Sequence, residues 1–470
     1  MLGLFGTLSL ATRSLATQQK GTEVAGHNLA NVNNPAYARQ RLAIQTSIAI
    51  PTHLGLQGTG ADAIAIRQLR DVLLDRQIQS ELGASGSLDA QQRALQYAQA
   101  NLGQQLDLQA TTTSGTGTQH GLAENLSDLF NAFHGLASQP SSLAERQILL
   151  LKAQNLATQF SHVAQRLDNV TDSLNQSVLT DVDAANLAIT EIARLNANII
   201  AAELGGNSQA NDLRDIRQQR LEDLAKITNF TTTTNSNGSL DITLDGVPLV
   251  RGAALLDQLD TFTDPSGLVS VRSLATAAPL TLTGGSLHGT LEARDGAVAS
   301  LRANINALAT QLITEVNTIH TAGFDLQDQT GLPFFTGTNA ASIRVNSDLL
   351  ADPSRIQAAA SVDAPGDNRI ILALAQLGDR AIPALQNQTF AGQYQQTVAS
   401  LGQSLSLLNT QAENQDLVEQ MLLSQRDSLS GVSLDEEMTD LIRFQRAFEA
   451  SARLITTVSE MLETVVNLKR

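Results

Sequence analysis

Residues 433–468 carry two apolar stripes at helical spacing, and no other stretch of the 470-residue chain restricts its fold as strongly. Phe444, Ala447, Ser451, Leu454, Val458, Met461, Val465 and Leu468 follow a 3-4 spacing; Met438, Leu441, Phe448, Ala452, Ile455, Leu462 and Val466 form a second stripe beside it. Two adjacent seams predict a helix buried on more than one side. Ser433 with Glu436 reads as a capping box, and Asp435, Glu436 and Glu437 put negative charge on the first turn. Lys469 and Arg470 supply cations at the far end. At about 1.5 Å per residue this helix is a rod of roughly 50 Å, and it needs partners. One is offered near the start of the chain, where Leu4, Leu8, Ala11, Leu15, Thr22, Ala25 and Leu29 share the spacing and Gln18 interrupts it.

Composition agrees with helix seams. Hydrophobic residues make up 42% of the chain but aromatic ones only 3%, so a core has to be built from aliphatic side chains. With no cysteine, disulfides, thiolate nucleophiles and cysteine metal sites are all excluded. Net charge is −16; residues 1–60 hold Arg13, Lys20, Arg39 and Arg41 against Glu23 alone, a balance of +3 that leaves −19 on the rest. Such a body repels nucleic-acid phosphates. No apolar run reaches the length of a membrane helix, and residues at the start lack the basic, apolar and small-residue order of a cleaved secretory signal. Read this way alone, the protein would be cytoplasmic.

Along the chain, residues 44–66, with Gly55, Gly58 and Gly60, read as a loop with short extended pieces. The glycines complete neither GxGxxG nor a phosphate loop. Helical spacing runs through Leu88, Leu95 and Leu102, breaks over 111–118, and returns from Leu122 to Leu136. Residues 141–204 contain no Gly or Pro and keep one pattern throughout, which predicts a helix of roughly 90 Å stopped by Gly205 and Gly206. A charged helix over 211–226 is expected to turn Leu213, Ile216, Leu221 and Leu224 inward, with Arg214, Arg217, Arg220, Glu222 and Asp223 on a solvated or intersubunit face. Residues 231–234 and 240–244 read as a hairpin about Asn235 and Gly238, and 247–250, 268–271 and 280–282 as short strands. Helix resumes over 292–321, a strand is expected at 343–345, helices return by Pro353, and the last but one runs over 390–429 to Gly431. The fold class is mainly α: a long helical bundle with a coiled coil formed by the N- and C-terminal segments together, and a small inserted β domain. The expected domains are 1–44 with 432–470, 45–227 with 292–431, and 228–291.

No catalytic constellation is present. The histidines form no HExxH or other close pair, and His27, His134, His162 and His320 sit in or beside helix patterns, as structural histidines do. Asp325 to Gly331 lacks the alternating carboxylates and closing glutamate of a calcium loop and reads as a turn. Asp257 and Asp260 are indistinguishable from surface charge. Neither a cofactor nor a metal is expected. Two classes of function remain, a self-assembling structural protein and an enzyme or binding module carried by residues 228–291.

One motif favours the first class. Asn28, Asn31, Asn33 and Asn34 end a helix and run into Pro35, Ala36 and Tyr37, followed by Arg39 and Gln40. This resembles the N-terminal signature of the rod, hook and hook-associated axial proteins of the bacterial flagellum, with Asn34 where that family often has Thr and Ala36 where it usually has Gly. Residues 211–221, 317–325 and 430–445 resemble the hook-associated branch that forms the hook–filament junction. A hook-protein reading would want more β sequence and a shorter helical middle than 141–226 allows. The resemblance implies a non-enzymatic structural protein, exported with an uncleaved signal through the flagellar type III apparatus to the extracellular flagellum. It implies self-association into a ring, hook protein and the second junction protein as neighbours, and a small chaperone on the C-terminal helix before export. Nucleic acid and membrane insertion are not implied. It marks Asn28, Asn31, Pro35, Tyr37, Arg39 and Gln40, and then Leu434, Leu441, Phe444, Phe448, Leu454, Ile455, Met461 and Leu462, as motif and assembly positions; another axial protein, the hook or second junction protein, is the alternative.

Overall fold

The structure, a computed structural model, describes residues 3–52, 55–102, 121–205 and 209–467. Helix α1 (Leu4–Ala30) leads into an arm of strands β1 (Gln40–Thr46), β2 (Ile50–Thr52), β3 (Gly55–Gln57) and β4 (Ala61–Gln68). β1 pairs antiparallel with β4, and β2 with β3. The short extended pieces expected within 44–66 are therefore paired strands of a hairpin arm. A register shift at Ala43/Ile44 and the exposure of Ile44 and Ile64 blur the alternation that would have announced it.

Helix α2 (Val72–Asn101) starts at an Asp71 cap that accepts from the Leu73 and Leu74 amides, well before Leu88 where the spacing becomes regular. Gly83 and Gly86 interrupt the apolar pattern there, and a Cβ at Gly86 would collide with the Lys226 carbonyl. The glycines are where α2 crosses the helices at Asn211–Ile227 and Gly285–Glu292. α3 (Leu122–Ser138) and α4 (Leu143–Glu203) follow, α4 being one uninterrupted helix of 61 residues capped by Ser142. In α5 (Asn211–Ile227) Leu221 and Leu224 turn inward as expected, but two positions are reversed: Arg217 is buried and Ile216 is 45% exposed. The break at 111–118, the stop at Gly206, and His53, His120, Leu468, Lys469 and Arg470 lie outside the described residues.

The insertion contains β5 (Thr231–Thr234), β6 (Leu240–Leu244), β7 (Val247–Arg251) and β8 (Ala254–Leu255), a four-stranded sheet in chain order, with β9 (Leu259–Thr263) and β10 (Val269–Ser273) as a separate hairpin. The hairpin about Asn235 forms as expected, with Thr231 opposite Thr243. Residues 280–282 do not form a strand; a single bridge joins Arg272 to Pro279. The apolar side of these strands has no separate core. Ile242, Leu244, Leu249 and Val271 pack in one cluster with Val182, Ile189 and Ile192 of α4 and Leu221 and Leu224 of α5.

α6 (Gly285–Glu292) runs through a π turn (Ala293–Val298) into α7 (Ala299–His320), so this helix starts before residue 292. Then come β11 (Phe335–Thr336), β12 (Arg344–Val345), α8 (Ser347–Ala351), α9 (Arg369–Gln376), α10 (Phe390–Ser430) and α11 (Leu434–Asn467). The second core, joining the first half of α4 to α3, α7, α9 and α10, includes Leu129, Phe133, Phe160, Leu312, Leu374 and Phe390. Arg146, fully buried, holds this core to the 353–356 turn by donating to the carbonyls of Pro140, Ser354 and Ile356. No described helix is long and apolar enough to cross a membrane.

Candidate functional site

α1 and α11 pair antiparallel, and three contacts define their register. Asn28 Nδ2 donates to Glu437 Oε2 at 3.0 Å, Gly21 lies under the Phe444 ring, and the hydroxyls of Ser14 and Ser451 are 3.0 Å apart. Successive contacts are seven residues apart on both helices, the repeat of a coiled coil. A Cβ at Gly21 would stand 2.5 Å from the Phe444 ring, so a glycine is what lets the helices meet there. Along α11 the shielded positions are Leu441, Phe444, Phe448, Ser451, Ile455, Val458 and Leu462, all buried or half-buried. This seam takes members from both stripes. Neither stripe faces α1 as a whole, and of the positions left over Leu454 at 38%, Met461 at 43% and Val465 at 54% exposure line an open flank. α1 is likewise rotated from its expected face. Its buried positions are Ala11, Thr17, Gly21, Val24, Ala25 and Asn28, while Leu4, Leu8, Leu15 and Leu29 are half-buried, because the small residues allow the closer approach.

Where the pair meets the body, Tyr37, the Gln40 backbone and Glu437 converge on Asn28. Its Oδ1 accepts from Tyr37 OH at 2.7 Å and from Gln40 N at 3.0 Å; its Nδ2 donates to Gln40 O at 2.9 Å as well as to Glu437. Arg39 donates through Nε to Glu437 Oε1 at 2.6 Å and also pairs with Glu436, while its amide donates to Ser430 O at 2.8 Å. Glu436 therefore serves Arg39 and does not complete the expected capping box with Ser433. Gln40 Nε2 donates to Asp212 Oδ1 at 2.8 Å, His27 Nε2 lies 3.2 Å from the same oxygen, and the His27 ring meets Tyr37 edge-on. Arg70 donates to Asp215 Oδ1 at 2.8 Å and lies 3.4 Å from Asp75.

The electrostatics follow from burial. Burial pushes the Asp215 carboxyl up to about 6 against the pull of Arg70, and raises Asp75 as well. Burial first, then Asp212, Asp215 and Glu437, push the Tyr37 phenol far up, so it stays a hydrogen-bond donor. The arrangement can fix the angle between the helix pair and the body; it holds no nucleophile beside a base.

Of the fourteen marked residues, the fold brings Asn28, Tyr37, Arg39 and Gln40 into one cluster. Asn31 closes α1 by donating to His27 O at 3.0 Å, and Pro35 is exposed. Ala36 needs no left-handed backbone, because Asn34 makes the turn by accepting from the Ala36 amide at 3.2 Å. Leu441, Phe444, Phe448, Ile455 and Leu462 lie in the seam, while Leu434, Leu454 and Met461 are exposed. Sequence reasoning missed Gly21, Arg70, Asp75, Asp212 and Asp215. The apolar stripe of α5 does not reveal the last two, because Asp212 and Asp215 fall outside the helical face that carries Leu221 and Leu224. His320 is a buried structural histidine, Nδ1 on Leu332 O and Nε2 accepting from Gln357 N, and burial lowers it to about 4. Asp325 closes its own turn by accepting from the Gln327 and Gln329 amides. Among the described residues no His, Asp and Glu cluster could hold a metal ion.

Residues 109–335 match the family described as flagellar hook-associated protein FlgK helical domain, and residues 423–468 match the one described as flagellar basal body rod FlgEFG protein C-terminal. Flagellar hook-associated protein 1 of Bacillus subtilis (strain 168) is 24% identical over 99% of this chain and 99% of its own length. The Escherichia coli (strain K12) protein of that name is also 24% identical, over 98% of this chain and 99% of its own. The solved structure of the flagellar hook junction protein FlgK from Burkholderia pseudomallei matches with a TM-score of 0.62 at 16% identity, covering 75% of this chain and 100% of that one, a likeness of fold.

Proposed function

The chain belongs to the flagellar hook-associated protein 1 family, and on that premise we propose that it is a structural subunit of the hook–filament junction that assembles through the open flank of α11. The observation that carries the reading is the second heptad-spaced row: Leu454 and Met461, joined by Val465, stand exposed beside a seam already filled by α1. An apolar row of this kind is stabilised only by a further helix, at about 1.5–3 kcal/mol for each aliphatic side chain fully buried. A copy of the same chain supplies one, and repetition around an axis closes a ring.

In this reading, residues 1–44 with 432–470 are the assembling module, 45–227 with 292–431 the body, and 228–291 a decoration packed on α4 and α5. Hook protein and the second junction protein are the axial neighbours, and the role is not enzymatic. The chain reaches the flagellum by type III export, with a small chaperone covering the flank beforehand. If full-length chain taken from its own cytoplasm retains no small partner that is lost on truncation after Gly431, the chaperone part of the reading fails.

The test of the whole is electron microscopy of a strain lacking the gene. Hooks without filaments, restored by the wild-type chain, are expected; filaments of normal number and length in the deletion strain would overturn the proposal.

A further inference from the structure

Beside the Asn28 cluster, a cleft of about 120 Å³ opens between α2, α5 and the β5–β6 hairpin. In a protein of net charge −16, four arginines line it: Arg70, Arg76, Arg214 and Arg217. Two of them are neutralised, Arg70 by Asp215 and Asp75, and Arg214 by Glu203 at 2.7 Å. The other two are not. Arg217 is 5% exposed, and its Nη1 is held at 2.8 Å by two neutral acceptors, Asn196 Oδ1 and Gly238 O, with no carboxylate in ion-pair contact among the described residues. Arg76 stands exposed at the mouth, also without an ion pair there. Arg70 Nε is buried in the wall with no hydrogen-bond partner.

Burying a guanidinium against neutral acceptors alone is costly, and a site that does so leaves a positive field for an anion to complete. The state of Arg217 agrees: burial lowers its pKa to about 10, the charges of Arg214 and Arg70 push the same way, and Glu203 offsets them only in part. Planar guanidinium forks match the paired oxygens of phosphate and carboxylate. The volume accommodates a few waters or one such group and is too small for a nucleotide.

We propose that this cleft is an oxyanion site, in which Arg217 at the base and Arg76 at the mouth bind a single phosphate or carboxylate group, free in solution or presented by an acidic side chain of a second copy of this chain. The site is independent of the assembly reading; only its second source depends on it.

Isothermal titration of inorganic phosphate into the full-length chain, at pH 7 and constant ionic strength, tests it. A saturable heat is required, because the general stabilisation of folded proteins by phosphate is exclusion and does not saturate. Arg76→Gln, at an exposed position that folding does not depend on, is expected to weaken binding at least about tenfold, the size of one charge-assisted hydrogen bond. Arg217→Gln should abolish binding, with circular dichroism confirming the fold, and Arg453→Gln, an exposed cation of α11, should change nothing. No saturable heat in the wild type, or equal affinity in Arg76→Gln, overturns the site. Sedimentation then separates the sources. If phosphate and Arg76→Gln both raise the concentration needed for self-association, the group is a neighbour's carboxylate; if the titration changes and self-association does not, it is a free oxyanion.

Discussion

Asn28 is a side chain with every hydrogen-bonding position used. Both donors and both acceptor positions of its amide are occupied, by Glu437, Gln40 and Tyr37, at 1% exposure. Asn28→Asp keeps the shape and reverses the chemistry, placing a carboxylate against Glu437 and the Gln40 carbonyl. Asn28→Ala removes the charge conflict but leaves four groups without partners, at about 1–3 kcal/mol for each one that stays buried. Asp is therefore expected to be the worse replacement, freeing α1 from α11 while the two body cores stay folded. The readout is a new helical melting step below the main transition, with protease cleavage gained within residues 4–30. A melting curve for Asn28→Asp that superimposes on the wild type would refute this role for Asn28.

At the scale of the helix, two leucines of α11 that look alike in sequence have different jobs. Leu462 is half-buried in the seam with α1, and Leu454 is on the open flank. An aspartate at either would be an unpaired charge once buried, costing several kcal/mol. Leu462→Asp is thus expected to unpair the helices in the isolated chain. Leu454→Asp should lower the monomer's melting much less, because at 38% exposure that position reaches water from the folded monomer, and should abolish capping of hooks in the cell. If Leu454→Asp lowers the monomer's main transition as much as Leu462→Asp does, the flank is part of the monomer's own core and the assembly reading of it fails.

For the whole molecule, two buried titrating groups set opposite slopes of stability with pH. His320 is depressed from 6.5 to about 4, so the unfolded chain binds its proton first and the stability it contributes is present above pH 6.5 and lost as pH falls toward 4. The shift corresponds to an effect on the order of 3 kcal/mol. Asp215 is raised from 3.8 to about 6, so the folded chain holds the proton longer, and stability falls as pH rises through that same window. The two oppose each other between about pH 4 and 6. Urea midpoints at pH 7 and 4.5 should show that His320→Gln gains stability on acidification relative to wild type, while Asp215→Asn loses it. Identical pH dependence in all three proteins would rule out both burial effects.

The sequence by itself determined what depends on neighbours along the chain. Absence of Gly and Pro over 141–204 with one unbroken period was enough for α4; Gly431 was enough to separate α10 from α11, and Asn235 to Gly238 to turn the first insertion hairpin. It also declared two seams on α11 without saying which would face α1. That was decided by the partner, whose glycine and serine at positions 21 and 14 let Phe444 and Ser451 approach, leaving Leu454 outside. The early start of α2 was hidden for a related reason, since Gly83 and Gly86 weaken the local pattern where they fit a helix distant in sequence, while the pairing of β1 with β4 was hidden by the register shift at Ala43/Ile44. The Asn28 cluster divides the same way. Asn28, Tyr37, Arg39 and Gln40 were legible as a motif, but Asp215 reaches the Ala38 amide and Arg70 from 177 and 145 residues away. Whether a charge is buried depends on what folds against it, and a stripe or a motif records only the residue's own helix.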